Sequence, residues 1–147
     1  MKLTFKKAKT EKDIKSIHDY NIDAFSDSPD FKWTFEEIKG EVADGWELYS
    51  LISDAEVVAA VFFKVEKDSL LTKNTAIKID HQGTGLSHSI KEFFEKVARE
   101  NKLKKIYHYC RIDNFRMYSL NESHQYKKTP RKLGPEGLVV EWLKTLK

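Results

Sequence analysis

Val57-Val58-Ala59-Ala60-Val61-Phe62-Phe63 is an unbroken apolar run of seven residues. A strand with one wet face alternates apolar and polar residues, so a run without polar breaks needs cover on both faces. It predicts a central strand over 57–65, in a sheet with other layers above and below it. The chain can supply them. Its 147 residues, 40% apolar and 33% charged, suffice for one domain, 1–147, with a real core.

The flanking patterns fill in the layers. Leu3 to Lys7 alternates as a first strand. Thr10, with Asp13 three residues on, opens a helix that places Ile14, Ile17, His18, Asn21 and Phe25 near one face. The SDSPD stretch at 26–30 breaks it. Thr34-Phe35-Glu36-Glu37 is a clearer capping box, opening a second helix that Gly45 can stop. Trp46 to Ile52 pairs with the central strand across an SDAE turn. Glu66 to Asn74 reads as a polar connection, followed by a strand from Thr75 to Asp80 and a turn holding Gly83 and Gly85. The next helix has the strongest periodicity, with Leu86, Ile90, Phe93, Phe94 and Val97 in one stripe, and ends at Asn101-Lys102. A strand from Leu103 to Ile112, a short helix capped by Asp113-Asn114 and running to about Ser123, and strands over 125–132 and 138–143 complete the chain. The order β-α-α-β-β-β-α-β-α-β-β is that of an α/β domain, one mixed sheet flanked by helices on both faces.

Several function classes drop out. The N-terminal MKLTFKKAKTEKD has no apolar h-region, and no apolar run approaches the roughly 20 residues that span a bilayer, so we expect no membrane partner. Cys110 is the single cysteine, which excludes an internal disulfide and fits a reducing, cytoplasmic setting. No metal is expected, because His81 and His88 have no ligand spacing. A net charge of +3 is too small to demand nucleic acid, and the basic run from Lys127 to Lys132 reads as a solvated strand or loop.

The glycine turn carries the chemistry. Glycines between a strand and a helix let backbone amides close on an anion, and the helix N-terminus adds about half a positive charge. No GK[ST] follows at Walker spacing. His88 stands where the dinucleotide fingerprint needs its third glycine, and too little chain follows for further βαβ units.

The segment TAIKIDHQGTGLSHSIKEFF resembles the acyl-CoA-binding segment of the GNAT acetyltransferases, whose pattern is Q/R-x-x-G-x-G/A; here it runs Gln82-Gly83-Thr84-Gly85-Leu86-Ser87, with the small Ser87 in place of the usual Gly or Ala. RIDNFRMYSLNESHQYKK resembles the family's second signature at Asn114, Met117, Leu120, Asn121 and Glu122. The resemblance covers essentially the whole chain. It implies a GNAT-like acyl-CoA N-acyltransferase fold and acetyl transfer from acetyl-CoA to a primary amine on a small molecule or peptide. By the same resemblance, the cofactor's pyrophosphate would lie on Gly83, Thr84, Gly85, Leu86 and Ser87, with Gln82 at the entrance. Ile77 and Ile79 would pair with the pantetheine arm, and Asn114 would contact that arm or cap its helix.

Two departures qualify that picture. Asn121 stands where many members carry the tyrosine that protonates the thiolate, which makes Tyr118, one turn earlier, a substitute. His124-Gln125 replaces the usual glycine before an aromatic, so a changed turn is expected there. An amine that must lose a proton also needs an acceptor. His108 and Tyr109 lie on opposite faces of their strand, so at most one faces the cleft, and Glu66 ends a central strand that could reach it. Phe25, Asp27, Asp30 and Trp33 are the expected substrate contacts. Two alternatives stay open: a non-catalytic acyl-CoA-binding module, and an interaction domain contacting RNA through Lys127, Lys128, Arg131 and Lys132. Homodimerisation is also left open.

Overall fold

In the computed structural model, which describes residues 3–21, 34–53, 55–77, 85–112 and 115–146, the central run is strand β3 (Glu56–Glu66). Its odd residues Ala59, Val61 and Phe63 enter one hydrophobic cluster and its even residues Ala60 and Phe62 another. Both faces are covered, as the apolar run requires.

The elements are β1 (Leu3–Lys7), α1 (Glu11–Asn21), α2 (Phe35–Ala43), β2 (Glu47–Ser53), β3, β4 (Ser69–Ile77), α3 (Leu86–Glu100), β5 (Lys105–Arg111), α4 (Phe115–Ser123), β6 (Lys127–Leu133) and β7 (Val139–Thr145). The order of strands and α-helices is the one expected. They form one seven-stranded sheet, β1-β2-β3-β4-β5-β7-β6, in which only β4 and β5 run parallel. Helices α1 and α2 bury Ile14, Ile17 and Ile38 against Leu48, Ala60 and Phe62 on one face. Helix α3 buries Leu86, Ile90, Phe94 and Ala98 on the other, where Met117 of α4 joins them. None of the helices among the described residues is long and apolar enough to cross a membrane.

Local signals set most boundaries. Thr34 and Glu37 exchange both capping-box bonds, and Thr10 and Asp13 do the same. Strand β4 begins earlier than expected. Glu66 pairs with Ser69, so Lys67-Asp68 is a two-residue hairpin turn, with Lys67 at φ +57°. The supposed polar connection is therefore strand. Residues 78–80, which the sequence also assigns to it, lie outside the described residues. The buried stripe of α3 is rotated as well. Ala98 and Lys91 are buried while Phe93 and Val97 are only partly so, because the α4 side of the helix is covered by Tyr126 and Met117.

Candidate active site at a fork between two strands

The β4–β5 ladder runs from Ser69↔Lys105 to Lys73↔Tyr109 and stops. Both strands continue. β4 stays paired with β3 as far as Ile77↔Ala59, and β5 with β7 as far as Arg111↔Val139. The result is a fork whose inner edges carry backbone groups with no strand partner among the described residues. A bulge redirects β4 at this point, since three steps from Lys73 to Ala76 answer two from Phe62 to Ala60.

Helix α3, packed across β4 and β5, begins at Gly85, whose φ is +87°. Gly85 offers no side-chain cap, and the first turn carries no acidic residue. The first ladder bonds are His88 and Ser89 N–H to the Gly85 carbonyl, at 3.2 and 3.4 Å, so the Leu86 and Ser87 amides precede the α-helical ladder. A Cβ built on Gly85 meets nothing within 4 Å among the described residues. Among the described residues this is an uncapped, electropositive helix end, suited to an anion.

The two faces of the sheet differ in chemistry around the fork. On the α3 face His108 is buried, its Nδ1 2.7 Å from Thr72 Oγ1. The Thr72 hydroxyl gives its one proton to the Tyr107 carbonyl at 2.9 Å, so His108 Nδ1 must be the donor to Thr72. Burial, with nearby Lys91, pushes the His108 pKa well down and leaves the ring neutral. Lys91 is buried beside it, its Nζ 4.4 Å from the Tyr126 ring centre. Burial draws the Lys91 pKa down to about 7, opposed by Cys110 and reinforced by Lys144. Lys91 Nζ, both amide atoms of Asn121, Tyr126 Oη and Trp142 Nε1 are buried without hydrogen-bond partners among the described residues.

On the opposite face Tyr109, the last β5 residue paired with β4, donates its hydroxyl to Glu141 Oε2 at 2.9 Å. Thr129 donates to Glu141 Oε1 at 3.0 Å, and the Arg131 guanidinium lies 3.3 Å from Oε2. Glu141 is 5% exposed, the one buried carboxylate among the described residues. Lys73, the last β4 residue paired with β5, is held away by Glu41 at 2.8 Å and by the Trp46 ring at 4.1 Å.

The comparison with solved structures decides the architecture. The chain superposes on the ribosomal-protein-S18-alanine N-acetyltransferase of Escherichia coli with a TM-score of 0.80 at 15% identity, over 98% of this chain and 94% of that one. An acetyltransferase from Thermus thermophilus matches at 0.78 and 18% identity, over 99% and 98%. The fold is that of the GNAT acetyltransferases. A GNAT family acetyltransferase from Elizabethkingia anophelis, solved with acetyl-CoA bound, matches at 0.74 and 14%, over 98% of both chains. The sequence itself matches no family profile and no curated protein.

Within this GNAT fold the expected site residues that are described divide between the fork and places away from it. Ile77 ends β4 in the fork, and Gly85, Leu86 and Ser87 open α3. Ile79, Gln82, Gly83, Thr84 and Asn114 lie outside the described residues, as do Phe25, Asp27, Asp30 and Trp33. Glu66 is not brought to the fork. It is exposed at the β3–β4 hairpin, and four residue steps along the strand, about 13 Å, separate its partner Ser69 from Lys73. Tyr118 donates its hydroxyl to the Ile112 carbonyl at 3.0 Å and packs edge-on against Trp142, while Asn121 points into the α3 core. Tyr109 and His108 do divide between the two faces.

The turn after α4 also departs from expectation. Gln125 takes the left-handed conformation itself, at φ +70°. Tyr126 N–H reaches the Asn121 carbonyl at 2.9 Å and Gln125 N–H the Glu122 carbonyl at 3.0 Å, a Schellman ending made without glycine. Sequence reading missed Glu141. Its signal was a lone carboxylate inside the apolar strand LVVEWL.

Proposed function

We propose that the protein is an acetyl-CoA-dependent N-acetyltransferase acting on a primary amine of a small molecule or peptide. The fork carries this reading: two neighbouring strand edges without a strand partner among the described residues, beside an uncapped helix N-terminus. Backbone groups on β4 from Asn74 to Ile77 suit an amide-bearing arm, and the α3 amides from Gly85 to Ser87 suit a pyrophosphate, with Gly83, Thr84, Gln82 and Asn114 as further contacts. When bound, acetyl-CoA supplies the activated acetyl thioester. The chain's part is to hold the donor at the fork and bring a deprotonated amine to it. Acetyl-CoA or CoA in solved structures of this fold, the former in the Elizabethkingia protein, supports the assignment.

Thermal melting with acetyl-CoA, with ATP as control, tests the binding half. At about 100 times the dissociation constant acetyl-CoA should add roughly 2.7 kcal/mol, and ATP nothing. Gly85→Ala and Gly85→Glu separate strain from charge. Both lose about 1–2 kcal/mol of stability to the left-handed backbone, but only the glutamate should abolish the acetyl-CoA shift. Equal shifts in the two variants would overturn the loop assignment. Amine-dependent release of CoA thiol tests the catalytic half. A second reading, an acyl-CoA-binding module without turnover, is favoured by Asn121 facing the core and by the Tyr118 hydroxyl being spent on a backbone carbonyl.

A further inference from the structure

We propose that Tyr109 and Glu141 form the proton-accepting pair for the acceptor amine; this rests on the acyl-transfer reading above. Placement comes first. Tyr109 is the β5 residue at which the fork opens, and its side chain faces away from α3. The apolar cluster beneath α1 and α2 ends on β2 and β3 and, among the described residues, does not extend over β5, β6 or β7. Among the described residues Tyr109 is only partly buried, whereas His108 beside it is sealed.

The chemistry follows from the hydrogen-bond inventory. A carboxylate has about four acceptor positions. Tyr109 and Arg131 occupy two on Oε2 and Thr129 occupies one on Oε1, so Glu141 is held in place with capacity to spare. A buried carboxylate whose orientation three donors fix is a preorganised acceptor for the Tyr109 proton. Among the described residues, two rival acceptors are committed elsewhere: His108 is sealed under α3 with Thr72, and Glu41 is tied to Lys73. The charged and titratable groups near the pair are Arg131 on β6, Tyr107 on β5 and Lys73 on β4. Burial first, then Glu141, raises the Tyr109 pKa, so the phenol stays protonated and able to relay.

The step balances. The acceptor's ammonium gives one proton to Tyr109 Oη as Tyr109 passes its own proton to Glu141 Oε2. The neutral amine then forms the C–N bond while the thioester C–S bond breaks. The second nitrogen proton ends on the thiol, and the first leaves from Glu141 to solvent. Tyr109 is thus the catalytic contact, and Glu141 acts through it.

The test uses the full chain with Tyr109→Phe and Glu141→Gln. Two probe amines are compared: tetra-alanine amide, an α-amine of pKa about 7.7–8, and Nα-acetyl-lysine amide, of pKa about 10.4. Both variants should keep the wild-type melting shift with acetyl-CoA. Both should lose about 100-fold in kcat/KM at pH 7 and regain most of it as the pH passes the pKa of the amine. A purely structural role would lower the rate equally at every pH. Independently of turnover, Glu141→Gln should bring one phenol to a lower pKa in an ultraviolet titration. An unchanged phenol titration would overturn the pair. Wild-type kcat/KM and pH profile in both variants would overturn the inference while leaving acetyl transfer standing. No wild-type turnover of either probe, despite a melting shift, would point to the non-catalytic module and take the inference down with the enzyme reading.

Discussion

The two faces of the sheet beside the fork handle buried polarity in opposite ways. Under α3 and α4, Lys91, Asn121, Tyr126 and Trp142 bury polar atoms that find no partner among the described residues. Across the sheet Glu141 is almost as buried, yet it receives three donors. A buried polar atom without a partner subtracts from stability, whereas one met by several fixed donors is held in place. The difference separates polarity that burdens the fold from polarity that can serve a reaction.

One replacement made on both faces should give opposite signs. Lys91→Met removes a charge that burial disfavours and should stabilise the protein by about 3 kcal/mol near pH 7. Because the folded pKa of about 7 lies below the ordinary 10.5, the unfolded chain binds the extra proton between those values. Wild-type stability relative to Lys91→Met should therefore rise with pH across that window and converge above it. Denaturant melts at pH 7 and pH 10 check this, and a constant gap between the two proteins would refute it. Glu141→Met should do the reverse, costing about 2 kcal/mol by stranding the Tyr109 and Thr129 hydroxyls. A neutral result would make that network dispensable to folding.

The smallest effect tests the joint that delivers Asn121 and Tyr126 to the sealed side. Gln125→Gly should stabilise by about 0.5–1 kcal/mol, the relief of a left-handed side chain less the entropy glycine loses on folding. A fall in melting temperature would mean that the Gln125 side chain contributes more than its backbone strain costs.

What could be read in advance follows the same division. Periodicity and capping boxes announce the layers, because apolar spacing and Thr-x-x-Glu act locally. The start of β4 was hidden because Lys67 turns the chain without glycine or asparagine. The changed turn expected where the α4 terminus lacks its usual glycine does not occur, because Gln125 itself supplies that conformation. The stripe of α3 could be found but not its rotation, since Tyr126 and Met117 reach it from distant parts of the chain. Glu141 was visible as an oddity in LVVEWL, but its meaning depends on Tyr109, 32 residues away and opposite it across the ladder. The opening of the fork itself depends on a register shift that leaves no mark in composition.

The fork also gives the sheet an unusual relation to polymerisation. At β1 or β6, an added strand would satisfy one row of backbone groups and present another, so growth could continue. Between β4 and β5 a newcomer would meet an edge on each side. Once an extended chain lies there, bonded left and right at about 4.8 Å spacing, no fresh edge remains to template the next. Two strands can therefore part within a sheet without inviting fibre growth at that place: an opening of this kind would admit one strand and be closed by it.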